Sequence, residues 1–190
     1  MLTKEEFITN KVKLVEEDST KGKILMMYPL DKEDCNSYPL MYEREKKTIE
    51  KRVMELCRKY KPKKVLEIGF GLGYTATAFQ KYGVKEHIIV EAHPKIFKDA
   101  VKWANKYQGN SRIHLVQSFM QDFKYDEKGY DLIFDDRYEL VYENNSEGEA
   151  PRYKIRGLAG WGILFTKEDR PINKMGVVYG GHANELFKEK

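Results

Sequence analysis

Val65-Leu66-Glu67-Ile68-Gly69-Phe70-Gly71-Leu72-Gly73 decides the fold of this 190-residue chain. Val65 to Ile68 reads as a short buried strand, closed by a turn with glycine at alternate positions, and Tyr74 to Tyr82 has helical composition with Gly83 as its stop. Such a turn lets the backbone approach a nucleotide-like ligand, because a side chain at Gly69, Gly71 or Gly73 would fill the space the ligand needs. The next apolar run, His87-Ile88-Ile89-Val90-Glu91, ends in a carboxylate at the spacing where an acid accepts ribose hydroxyls. His93 then caps a helix that starts at Pro94 and carries Ile96, Phe97, Ala100, Val101, Ala104 and Tyr107 along one stripe. The plainer alternatives are an ordinary tight turn and a strand-end Glu facing solvent.

Glu67, just before the glycines, bears on the ligand's charge. It would repel a phosphate-bearing dinucleotide and attract a cofactor carrying an ammonium and a sulfonium. S-adenosylmethionine has both cations and no phosphate. A nicotinamide-dependent oxidoreductase would share the glycine turn and the ribose acid, but Glu67 and the lack of a hydride-transfer partner count against it.

Residues 42 to 60 read as a helix with Ile49, Val53, Leu56, Cys57 and Tyr60 on one face and Pro62 at its exit. One turn back on that stripe is Glu45, a carboxylate that needs either solvent or a cation. Arg112 to Val116 and Tyr130 to Phe134 read as further strands, the latter ending in Asp135-Asp136, and Gly162 to Thr166 and Met175 to Tyr179 supply two more. Strands alternating with helices imply a Rossmann-like α/β fold, with a mostly parallel central sheet and helices on both faces. Ligands bind such sheets at the carboxyl ends of their strands, where the glycine turn, Glu91, Gln117-Ser118 and Asp135-Asp136 all fall. Residues 1–40 are charged and then turn-rich, with Pro29, Asp31, Asn36, Ser37 and Pro39 breaking any long element. They are expected to form a cap or lid on a single domain spanning 41–190.

The net charge is +4, with lysines spread along the chain among acids, which argues against a dedicated nucleic-acid surface. Cys35 and Cys57 form no CxxC, so neither a structural metal nor a disulfide scaffold is expected. No apolar run approaches spanning length and the start has no signal core, so the expectation is a cytoplasmic protein without membrane association.

These residues resemble the class I S-adenosylmethionine-dependent methyltransferases, and more narrowly the guanidinoacetate methyltransferase and arginine N-methyltransferase group. The matches are Val65 to Gly71 with its Gly-Phe-Gly, Ile89-Val90-Glu91, Phe97, Trp103-Ala104, Asp122 and Tyr130 to Tyr138. The resemblance implies that Gly69, Gly71 and Gly73 contact the methionine part of the cofactor, Glu91 and Ala92 the ribose side, and Ser118, Phe119 and Met120 the adenine, with Glu67 and Asp135 completing the set. It implies that Asp136 holds a guanidino group, helped by a second carboxylate that is Glu45 or Glu43. Met120 in place of an aromatic residue and Glu139 in place of a proline depart from the family and bear on the acceptor more than on the cofactor. The expected partner is a small-molecule acceptor, cationic in the favoured case, and a homodimer is compatible with the sequence. A non-catalytic S-adenosylmethionine-binding subunit and an RNA-directed methyltransferase are the alternatives.

Overall fold

A computed structural model describes residues 4–18, 22–28, 37–107, 111–124, 129–135, 163–166 and 176–179. The glycine turn stands near the middle of a six-stranded sheet built from β4 (Lys64–Ile68), β5 (Glu86–Glu91), β6 (Arg112–Gln117), β7 (Leu132–Asp135), β8 (Ile163–Thr166) and β9 (Gly176–Tyr179). Their order is β6-β5-β4-β7-β8-β9. The first four are parallel, while β8 and β9 pair antiparallel with their neighbours. The chain runs outward from β4 through β5 to β6 and then returns to lay β7 on the other side of β4. The order of strands therefore reverses between β4 and β7, and their carboxyl ends flank the crevice that such a reversal opens. This is a Rossmann-like α/β fold.

Helices α2 (Lys46–Tyr60), α3 (Tyr74–Tyr82) and α4 (Pro94–Ala104) form around apolar stripes. Ile49, Val53, Leu56 and Cys57 of α2, Phe79 of α3 and Ile96 and Ala100 of α4 share one cluster with Val65, Ile89, Leu132 and Phe134 of the sheet. Helices were expected on both faces; among the described residues these three share that one cluster. The opposite face, with Leu66, Ile68, Ile88, Val90 and Ile133, is closed by Tyr130, Met120 and Phe123. On the α4 stripe Val101 is 39% exposed, since only the Ile96 and Ala100 positions reach the sheet. Burial pushes the Cys57 thiol up to about 12, so this cysteine is a packing residue with an unreactive sulfur. No helix among the described residues is long and apolar enough to cross a membrane.

The amino-terminal segment corrects the expectation that no long element forms there. After α1 (Lys4–Thr9), β1 (Lys11–Asp18) and β2 (Gly22–Tyr28) make an antiparallel hairpin, and β3 (Tyr38–Tyr42) pairs with β2. Of the residues expected to break any long element, Pro39 lies within β3, and residues 29–36 lie outside the described residues. The hairpin was hard to read because its apolar alternation is partial: Val12, Leu25 and Met27 are buried, yet Leu14 is 50% exposed.

Candidate functional site

The turn between β4 and α3 has left-handed backbone at all three glycines, with φ of 88° at Gly69, 54° at Gly71 and 72° at Gly73. Glycine adopts that region without the Cβ penalty paid by other residues. The protein itself uses part of the cleared space. A Cβ at Gly73 would lie 2.6 Å from the Phe70 ring, and one at Gly71 would lie 2.8 Å from Cε of Met41 on β3. Leu72 N–H donates to the Met41 sulfur at 3.2 Å, so the amino-terminal sheet rests directly on the turn. From the other side, Trp103 of α4 meets the Phe70 ring edge-on at 5.5 Å and donates its indole N–H to Thr77, whose hydroxyl donates to Gly73 O.

Glu91 ends β5 beside this turn, 5% exposed. Its Oε2 accepts Phe70 N–H at 2.9 Å and its Oε1 accepts His93 N–H at 2.7 Å. Burial raises this carboxyl above its ordinary value, opposed by the backbone N–H groups of Phe70, His93, Gly71 and Ala92. The carboxylate is locked in position by the loop it helps to shape. Ser118 N–H donates to Glu91 O at 3.2 Å, which brings the start of the Ser118-Phe119-Met120 segment to the same strand end. Phe119 stays on the side of the main core, whereas Met120 packs on the opposite face of the sheet. Asp135, 1% exposed, ends β7 in register with Ile68. Asp136, with Arg137, Tyr138 and Glu139, lies outside the described residues, as does the polar stretch 143–150.

Glu67 sits beneath the crevice, fully buried beside His87, with His87 Nε2 and Glu67 Oε2 3.0 Å apart. The pair is close but bent away from hydrogen-bond alignment. Ser111 donates to Gln80 Oε1 at 2.6 Å, so the Gln80 amide nitrogen, 3.1 Å from His87 Nδ1, is the donor there. That pattern assigns the imidazole proton to Nε2, facing Glu67. Burial lowers His87 to about 3, so it is neutral in the folded protein. The unfolded chain protonates it near pH 6.5, so the stability this group contributes is complete above that pH and is lost as pH falls from about 6.5 towards about 3. Urea unfolding between pH 7.5 and 4 should show stability declining with acidity, and His87→Gln should flatten the slope. An unchanged slope in the variant would assign the decline to other groups.

Glu45 and Glu43 occupy a single turn of 3-10 helix (Glu43–Glu45) between β3 and α2. Glu45 is half-buried, and its Oε2 accepts Tyr42 N–H at 3.3 Å, which caps the turn. Glu43 is exposed and tied to β2 through Lys23 N–H at 3.0 Å. Both carboxylates act on Tyr74, the first residue of α3, whose hydroxyl is raised by burial and then by these two charges. They therefore lie on the glycine-turn side of the molecule. At the other end of the strand termini, Phe7 of α1 packs against His93 at 5.6 Å and Phe119 at 5.9 Å, and Lys4 pairs with Asp122 at 3.1 Å. His93 accepts Lys95 N–H at its Nδ1, as a capping residue should, and its Nε2 donates to Asn10 O at 3.0 Å. Met41, Phe7 and Trp103 had no assigned role at the site from sequence, since their contacts are all long-range.

A parallel sheet whose order reverses at a glycine turn, with a backbone-anchored acid on the adjoining strand end, is the arrangement of the Rossmann-like α/β proteins. Within that class, residues 37–147, which are 111 of the 190, match the model of the guanidinoacetate N-methyltransferase family. The chain belongs to this family and so to the methyltransferases. Among solved structures, the YcgJ protein of Bacillus subtilis is 26% identical over 43% of this chain and 35% of its own, with a TM-score of 0.36. The chain thus spans about a third of that protein's length.

Proposed function

We propose that the protein is an S-adenosylmethionine-dependent methyltransferase acting on the nitrogen of a small guanidino or amino compound. The observation that carries the reading is Glu91: a buried carboxylate fixed by the N–H groups of Phe70 and His93, beside a turn whose glycines have positive φ. A ribose needs that pairing of fixed acceptor and bare backbone. Gly69, Gly71 and Gly73 would hold the methionine part, Glu91 and Ala92 the ribose, and Ser118 and Phe119 the adenine, with Glu67 and Asp135 setting the negative potential below a cofactor that carries a sulfonium and an ammonium.

When bound, the cofactor supplies an electrophilic methyl group on sulfur. The residues of this chain have to present a nitrogen lone pair to it. A guanidinium has a pKa of about 12.5 to 13.8, so deprotonating it in water at pH 7 costs on the order of 8 kcal/mol. A carboxylate beside the nucleophilic nitrogen orients the cation and takes its proton as the new bond forms. Asp136 fills that role in this reading, with Glu45 or Glu43 holding a second N–H; each of the two already accepts one backbone donor, Tyr42 N–H on Glu45 and Lys23 N–H on Glu43. Incubation with S-adenosylmethionine and a panel of guanidino compounds, small amines and carboxylates, with S-adenosylhomocysteine as readout, tests the proposal. Turnover on a guanidino or amine acceptor is expected. Calorimetry showing tight NAD binding and no S-adenosylmethionine binding would overturn it.

Residues 1–40 serve in this reading as a lid. Phe7 rests on Phe119, while Met41, just beyond the segment, rests on the turn, so closure at both ends of the crevice would exclude water from the reacting atoms. Limited proteolysis should cut this segment more slowly with S-adenosylhomocysteine and acceptor present than in the apo protein. Equal rates would remove the lid from the mechanism.

A further inference from the structure

We propose that the cleft between β1 and the first turn of α4 is a binding site for a small phosphate-bearing anion. The cleft has a volume of about 370 Å³ and brings together Lys11 and Lys13 of β1, Lys95 and Lys98 of α4, and Asn10 and His93 between them. No acidic side chain lines it among the described residues. Lys95 is paired with Asp99 on its own helix and Lys13 lies over the Tyr28 ring, but Lys11 and Lys98 have no carboxylate partner among the described residues. With Lys95 held by Asp99 and Lys13 over Tyr28, the charges of Lys11 and Lys98 stay unneutralised beside the cleft and attract a multivalent anion.

Asn10 supplies an independent sign of a ligand. It forms part of the cleft wall, is 5% exposed, and its Nδ2 is a buried donor with no acceptor. Its backbone is already engaged, N–H with Glu6 O and O with His93 Nε2, so the side-chain amide is the group left over. Buried amide donors are normally satisfied, and an anion oxygen in the cleft would satisfy this one after a small rotation of the amide. The α4 terminus adds its partial positive charge. Its Lys95 N–H is taken by His93, however, so the lysines and the amide make the site rather than the helix end. The volume exceeds what one orthophosphate fills, which leaves room for a pyrophosphate or an organic phosphate. Because two lysines come from the amino-terminal hairpin and two from the core helix, an anion here ties the hairpin to α4 next to His93.

Pyrophosphate is the probe. Titrated into the full chain at matched ionic strength, it should shift the amide resonances of Asn10, Lys11 and Lys98 saturably and slow proteolysis of the first 18 residues. Lys11→Glu combined with Lys98→Glu, both at exposed positions, should raise the half-saturating concentration by about tenfold or more. Should the double variant fail to fold, Lys98→Gln alone should still weaken binding. Sodium chloride producing the same shifts at equal ionic strength, or unchanged binding in a folded variant, would overturn the proposal. Tighter binding of a single-stranded RNA oligomer through the same lysines would overturn the assignment to a small anion.

Discussion

Replacing Asp136 by Asn is expected to cut methyl transfer by about 10²–10⁴-fold, the usual loss for a missing general base, while S-adenosylmethionine affinity stays within about threefold. The substitution keeps the side-chain shape and removes the charge that a cationic acceptor would need. In the family resemblance Asp136 is the acid on the guanidino group, and it directly follows Asp135, the buried end of β7 at the point where strand order reverses. The measurement has to be paired, with cofactor binding and turnover taken on one preparation and with a confirmed acceptor. Near-normal turnover would show that Asp136 is not the catalytic carboxylate. Glu45→Gln makes the companion test. A smaller loss with a raised acceptor KM would mark Glu45 as a group that orients the acceptor, and no change would pass the role to Glu43.

Gly71→Val should abolish cofactor binding. The backbone there has φ of 54°, and left-handed geometry costs a non-glycine residue about 1–2 kcal/mol, more for a β-branched one. The new Cβ would also lie 2.8 Å from Met41 Cε and 3.0 Å from its sulfur. Because Met41 ends in a flexible thioether, part of that clash can be relieved by moving it, so a second variant separates two causes. Gly71→Val with Met41→Ala removes the internal clash and leaves the strain of a β-branched residue at positive φ and the added methyls within the turn. Binding measured by calorimetry should remain absent in the double variant. Recovery would mean that Gly71 is required to seat Met41 and that the cofactor lies elsewhere.

Much of the central sheet was legible because its signals are local. Val65-Leu66-Glu67-Ile68, three of its four residues apolar, ahead of spaced glycines reads as a buried strand meeting a tight turn, and α3 runs from Tyr74 to Tyr82 with Gly83 at φ of 94° ending it. His93 and Pro94 open α4 as their side-chain chemistry dictates. Glu91 was recognisable from its distance along the chain, since one βαβ half-unit brings a strand end back to the same edge. The amino-terminal hairpin was not legible, because its lysine-rich strands show little alternation and are stabilised by pairing with each other and by Met41 on the glycine turn.

The residue types and spacings by themselves determined the glycine turn, the acid on the next strand end and the α/β alternation, since each depends on steric and hydrogen-bonding preferences within a few residues. Tertiary structure decided the rest. It set Glu67 beneath the crevice against His87, put Met41 over Gly71, turned Glu43 towards β2 while Glu45 caps its own turn, and gathered lysines from β1 and α4 around one cleft. Those outcomes depend on which distant elements pack together, and packing among buried side chains is not encoded in any one segment of the chain.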